Sequence, residues 1–244
     1  MNGDDLQRPA VEATPARRLA AWGVHLFTAS GAVAGLLALL AIARGDVAVA
    51  FWWMAYTLVV DSVDGTMARA VGVKQVLPTV DGARLDDCVD YFTYVLVPAF
   101  FMLQTQLFPP AVALPVAALV CLASGYGFAQ TAAKTPDHYF TGFPSYWNVV
   151  AFYLWALEWD AWTNAAITTL LAVGVFVPLR YIYPSRTTTL RPLTIGLALC
   201  WGAALVYALS QLPAKHPTLV HASLAFPTYY VGLSVILHLR AIRH

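Results

Sequence analysis

The chain has 244 residues, of which 59% are hydrophobic and 11% charged, and its formal net charge is +1. An ordinary soluble domain carries about a quarter charged residues, so this composition argues against one. A charge so close to zero, with no basic stripe interleaved with aromatics, likewise argues against a nucleic-acid binder. The three cysteines, Cys88, Cys121 and Cys200, sit in apolar runs without C-x-x-C pairing, which leaves no basis for a disulfide framework or a zinc site.

Residues 1–18, MNGDDLQRPAVEATPARR, are polar and include acids. They lack the basic start and small-residue cleavage site of a signal peptide, and read as a cytoplasmic tail ahead of one transmembrane domain over 19–244. Eight apolar runs follow, at 20–43, 47–68, 84–104, 111–133, 145–158, 161–182, 192–211 and 218–240. A bilayer crossing needs roughly 20 apolar residues; the run at 145–158 is the short one. Pro109, Pro110, Pro136, Pro144, Pro184, Pro192 and Pro213 fall near the boundaries, where a missing backbone donor costs least. No run alternates as an outer-membrane barrel strand does. The expected fold is an all-α polytopic membrane protein with eight transmembrane helices.

Cytoplasmic loops are enriched in Lys and Arg. With both termini cytoplasmic, that side receives Arg8, Arg17, Arg18, Arg69, Lys74, Arg84, Lys134, Arg180, Arg186, Arg191, Arg240 and Arg243, leaving only Arg44 and Lys215 opposite. The split is 12 against 2 of the 14 basic residues, and an odd number of crossings would scramble it.

The second run ends and the third begins in DSVDGTMARAVGVKQVLPTVDGARLDDCVDYF, residues 61–92, which holds six of the 13 acidic residues. Carboxylates at a membrane border are costly and usually face a partner or a watery cavity. Asp61 and Asp64 are spaced i, i+3 and Asp86 and Asp90 i, i+4, so each pair lies on one helix face. A short loop makes the two helices antiparallel neighbours whose acidic faces can meet. Four such carboxylates repel unless cations lie between them, and hard oxygen ligands favour Mg²⁺ or Mn²⁺, with ligands enough for two ions. Gly65 and Gly82 each follow an aspartate and let a phosphate or nucleotide approach the backbone. Ala68 keeps that surface low, and Arg69 can reach a phosphate as a bidentate donor. Asp81 and Asp87 fall off these faces and read as solvated or supporting groups. The plain alternative is that the aspartates cap helices or pair with Arg69, Lys74 and Arg84.

The run Asp61-x-x-Asp64-Gly65-x-x-Ala68-Arg69, followed by 12 residues and then Gly82-x-x-x-Asp86-x-x-x-Asp90, resembles the signature of the CDP-alcohol phosphotransferases. Most members carry a shorter spacer and fewer spans. The longer spacer, the eight runs and the stretches GFPSYWNVVAFYLWAL and VPLRYIYPSRTTTLRP resemble the family's bacterial phosphatidylcholine synthase branch. The resemblance implies a bacterial inner-membrane enzyme, with a cytoplasm-facing site and the homodimeric habit of the family, that condenses CDP-diacylglycerol with choline and releases CMP. It implies that Asp61, Asp64, Asp86 and Asp90 surround two metal ions, that Asp90 is the general base with Asp86 beside it, and that Gly65, Ala68, Arg69 and Gly82 line the cytidine-phosphate pocket.

Choline's quaternary ammonium donates no hydrogen bond and is recognised by aromatic faces. Tyr91, Tyr94, Tyr146, Trp147, Tyr181 and Tyr183 are the candidates on the cytoplasmic side, against a background of aromatics that serve as membrane belt or packing. Arg180, Arg186 and Arg191 read as holding lipid phosphate or as setting topology. His25, Thr28 and Ser30 read as facing the nucleotide or as hydrogen bonds between helices. Glu158 and Asp160 fall on the far side. Two other readings compete: a related transferase using serine, inositol or glycerol phosphate, and a divalent-cation transporter. A transporter would spread its acids across several spans, whereas the last three runs contain none. A non-catalytic scaffold leaves the glycine-flanked aspartates unexplained.

Overall fold

The computed structural model describes residues 14–131, 139–183 and 187–242. Helix α1 (Pro15–Ala43) starts earlier than the apolar run requires, because Thr14 accepts from the Arg17 backbone N–H and Pro15 suits a first helical position. Arg17 and Arg18, assigned to the tail from sequence, therefore sit in the first turns of a helix. Asp46 caps α2 (Val47–Val71), and Gly72, at φ +72°, ends it in the left-handed region that glycine tolerates. The single turn α3 (Val73–Val76) then leads to α4 (Gly82–Asp90).

α4 continues without a break through a π-helical stretch, Tyr91–Leu96, into α5 (Val97–Gln104). Pro98 supplies a local reason. It lacks the N–H that would bond the Tyr94 carbonyl in a regular α-helix, and the turn before it widens. The remaining helices are α6 (Ala113–Ala129), α7 (Trp147–Ala156), α8 (Ala161–Gly174), α9 (Arg191–Ser210), α10 (Pro217–Ser223) and α11 (Ala225–Ile242).

Each of the eight apolar runs thus contains helix. Among the described residues, four helical stretches are long and apolar enough to cross a membrane: Pro15–Ala43, Val47–Val71, Arg191–Ser210 and Pro217–Ile242. Large apolar side chains such as Leu26, Val33, Leu36, Leu170 and Leu199 point outward, as lipid-facing residues do. The chain is an α-helical membrane protein.

One element departs from the all-helical expectation. Strand β1 (Tyr139–Thr141) pairs antiparallel with β2 (Arg180–Ile182), matching Tyr139 with Ile182, Phe140 with Tyr181 and Thr141 with Arg180. The sequence reading placed 180–182 at the end of a span. Instead α8 stops at Gly174, and Pro178 disfavours helix in the residue before it. The backbone beyond must find other partners. It pairs with β1 and also leans on α11, where Ser234 Oγ accepts from the Ile182 N–H and His238 Nδ1 from the Arg180 N–H. Gly142, at φ +80°, closes the connection; a Cβ there would fall 2.2 Å from the Val175 carbonyl oxygen.

Small residues let α1 seat against the motif-bearing helices. A Cβ on Gly31 would lie 2.7 Å from Val89 Cγ1, and one on Gly35 2.6 Å from Phe92 Cε1. Ala34 and Ala38 on the same helix are fully buried. Gly35→Val is expected to destabilise the protein by about 1–3 kcal/mol through overpacking, read as a lower thermal midpoint in detergent. Gly23→Ala, where nothing lies within 4 Å, serves as the neutral control.

Candidate active site

Asp61 comes from the middle of α2, while Asp86 and Asp90 come from successive turns of α4. One carboxylate oxygen from each lies within 4.8 Å of the others, and all three residues are half-buried. Three hard anionic oxygens this close match the donor set of Mg²⁺ or Mn²⁺. Tyr94, in the widened π-helical turn that follows Asp90, also faces this side. Its buried hydroxyl donates to Asp61 Oδ2 at 2.8 Å.

Asp64 is not one of the three. It is 5% exposed, and its Oδ2 accepts a 2.9 Å hydrogen bond from Thr28 Oγ1 on α1. The fourth expected ligand is therefore held one turn along α2 from Asp61, braced from the first helix. Thr28 thus makes the interhelical bond that the sequence left as one of two readings. Ser30 does likewise, donating to the Phe27 carbonyl and lying 3.0 Å from the Tyr56 hydroxyl.

The residues expected to line a nucleotide pocket fall in two places. Arg69 is exposed and folds back along its own helix, where Nη2 donates to Thr66 Oγ1 at 3.0 Å, and a Cβ on Gly65 would be 3.3 Å from its Nη1. Ala68 packs with Val71, Val73 and Val76 beside the start of α1. Gly82 opens α4 against His25: a Cβ there would stand 3.1 Å from His25 Cε1. Asp81, expected as a solvated or supporting group, caps α4 by accepting from the Ala83 and Arg84 backbone N–H groups and pairs with the Arg84 side chain at 3.3 Å. Asp87 is exposed. Glu158 meets Lys215 Nζ at 2.7 Å, and Asp160 caps α8.

The six aromatic candidates separate. Tyr94 stands at the cluster, its ring 6.4 Å from that of Tyr146, and Tyr146 is close enough to Asp61 and Asp90 to feel both charges. Tyr146 is followed at 6.4 Å by Tyr230, which stacks on Tyr181 at 6.0 Å. Tyr183 packs on Phe140 at 4.8 Å, along the hairpin. Two candidates lie elsewhere. Tyr91 turns toward α6, where its hydroxyl donates to the Cys121 carbonyl. Trp147 is fully buried and donates its indole N–H to Ser124 Oγ at 2.7 Å, so it is a packing residue. Tyr230 was missed because nothing in an apolar last span distinguishes it; only the fold of that helix against β2 brings it here.

Of the arginines, Arg180 lies over the Tyr139 ring at 4.5 Å, Arg191 is exposed at the start of α9, and the expectation for Arg186 lies outside the described residues. Tyr94→Phe removes a donor from Asp61, one of the three carboxylates that could hold a metal ion. Loss of such an orienting bond typically weakens metal binding about 10- to 100-fold, and Mn²⁺ titration followed by electron paramagnetic resonance should show weakening in that range. Thr28→Val strips a donor from buried Asp64 and should cost about 1–3 kcal/mol of stability in thermal unfolding.

No family model matches the chain. Several bacterial proteins named phosphatidylcholine synthase do match, over most of its length. The one from Legionella pneumophila is 41% identical over 222 residues, covering 88% of this chain and 87% of that protein. The one from Pseudomonas aeruginosa is 36% identical over 220 residues, covering 90% and 92%. The one from Rhizobium meliloti is 34% identical over 225 residues, covering 92% and 93%.

Proposed function

The chain belongs to the phosphatidylcholine synthase family, and from that premise we propose that Asp61, Asp86 and Asp90 are the centre at which the phosphatidyl group changes hands. The protein is a phosphatidyltransferase. It moves the phosphatidyl group of CDP-diacylglycerol to choline and releases CMP. The observation that carries the site assignment is the convergence of the three carboxylates from α2 and α4 beside Tyr94.

In this reading the choline hydroxyl oxygen attacks the phosphorus of the lipid-side phosphate. The bond from that phosphorus to the oxygen bridging to CMP breaks, and CMP leaves with the bond's electrons. Asp90 accepts the choline hydroxyl proton as general base, with Asp86 one turn away. Asp61, Asp86 and Asp90 would hold Mg²⁺ or Mn²⁺, and Asp64 is the further ligand that a second ion would draw on. A divalent ion held there would supply charge neutralisation to the diphosphate. Gly65, Ala68, Arg69 and Gly82 would line the nucleotide side, with Arg69 able to swing from Thr66 to a phosphate. Arg186 and Arg191 would hold the lipid phosphate.

Tyr94, Tyr146, Tyr181 and Tyr230 would form the choline side, with Tyr183 at its edge. Their linked rings begin at Asp61, and the faces of such rings attract a quaternary ammonium. A transferase using a phosphorylated acceptor would want basic groups in place of these rings.

The 12-to-2 division of basic residues supports eight crossings with both termini on the cytoplasmic side of a bacterial inner membrane. The acidic centre would then open to the cytoplasm. CDP-diacylglycerol enters sideways from the leaflet and choline from the aqueous phase.

Purified protein in detergent, supplied with CDP-diacylglycerol, labelled choline and Mn²⁺ or Mg²⁺, should form labelled phosphatidylcholine and CMP in equal amounts. Asp90→Asn should lower kcat by about 10²- to 10⁴-fold, and a chelator should stop turnover. CMP release only with serine, inositol or glycerol phosphate would overturn the choline assignment, and full activity in Asp90→Asn would remove the base.

A further inference from the structure

One turn before Thr28, α1 directs a second polar side chain inward. His25 is 6% exposed, and its Nε2 is buried without a hydrogen-bond partner. Buried polar atoms in folded proteins are nearly all paired, so an unpaired one asks what completes it. Trp22 packs edge-on against the ring at 6.0 Å. The ring's Cε1 and Nδ1 would lie 3.1 and 3.7 Å from a Cβ on Gly82. The glycine that opens α4 is therefore the residue that leaves this imidazole room, and the ring carbon bonded to Nε2 is the atom nearest it.

The neighbours of His25 are those already placed on the nucleotide side. Ala21 and Val24, on the adjacent turn of α1, pack in one cluster with Ala68, and Thr28 fixes Asp64. The histidine thus stands where α1 crosses both halves of the aspartate motif, away from the tyrosines that extend from Asp61 toward β2 and α11.

We propose that His25 is a nucleotide-contacting residue, its Nε2–H donating to a phosphate or ribose oxygen of the CMP half of the CDP-lipid across Gly82. The assignment rests on the phosphatidyl-transfer reading above and adds a residue outside the aspartate motif. A neutral imidazole offers one N–H donor, and the CMP half presents several oxygens that accept one. The trimethylammonium end of choline has neither donor nor acceptor and cannot complete the group.

The test is CMP binding to the full-length protein in detergent with Mn²⁺, measured by calorimetry. His25→Leu should weaken CMP binding about tenfold, the loss expected when a hydrogen bond to the ligand disappears. It should raise the KM for CDP-diacylglycerol by a similar factor and leave the KM for choline within about twofold. Gly82→Ala, whose Cβ displaces the imidazole, should move CMP affinity in the same direction. Unchanged CMP affinity in a folded His25→Leu protein overturns the proposal, even if its thermal stability falls, because that pattern marks a packing histidine. If His25→Leu does not fold, ¹⁵N-histidine spectra of the wild-type protein decide: CMP should shift the His25 imidazole signals, assigned through His25→Gln, and no shift overturns it. Failure of the wild-type protein itself to bind CMP would sink the transferase reading and this inference together. Loss confined to the variants separates the two.

Discussion

The structure turns on mutual repulsion among three carboxylates. At separations within 4.8 Å, two ionised groups in a partly buried setting repel by on the order of 3–4 kcal/mol. Three such groups gathered at a membrane border are stable only with positive charge among them or with donors turned toward them. Much of what surrounds the cluster serves that need. Tyr94 donates to Asp61, and Thr28 takes Asp64 as a partner on a different helix. The helices must also approach closely enough for the carboxylates to converge, which is the task of Gly31, Gly35, Ala34 and Ala38 on α1. Bulk anywhere along that face would separate the acids and remove the reason for a cation to bind.

The helix carrying Asp86 and Asp90 shows how local chemistry fits this demand. Regular α-helical spacing holds the two aspartates on one face, and the wide turn begins only after Asp90. The two carboxylates thus sit on regular helical backbone, while irregularity is confined to the stretch containing Tyr94, whose hydroxyl reaches across to α2. π-helical turns are frequent at functional sites because they re-aim side chains without breaking the helix.

The charged half of the site was largely legible from sequence. The i, i+3 and i, i+4 spacing of Asp61, Asp64, Asp86 and Asp90 is a local property, and helix geometry translates it directly into faces. The helix positions were legible for the same reason, since each follows an apolar run bounded by proline or glycine. What sequence could not give was side-chain choice at long range. Nothing local tells that Asp64 turns to Thr28 while Asp61 joins Asp86 and Asp90. Trp147 and Tyr146 are neighbours in sequence, yet one is buried against Ser124 and the other faces the acids, a difference set by the unusual backbone at Ser145 (φ +56°) and the packing of α6. The β1–β2 pair was hidden because both strands are three residues long and form only against each other and α11.

Apart from Tyr94, the linked tyrosines come from later in the chain than the aspartates. Every converging carboxylate, with Tyr94, Thr28 and His25, lies within the first 94 residues, whereas Tyr146, Tyr181 and Tyr230 are contributed by later segments. Such a division makes the molecule separable in evolution. On the proposed reading, drift in the later helices and the small hairpin would reshape the choline side while the half that would handle phosphate stays fixed. A lineage could change its headgroup without relearning its chemistry.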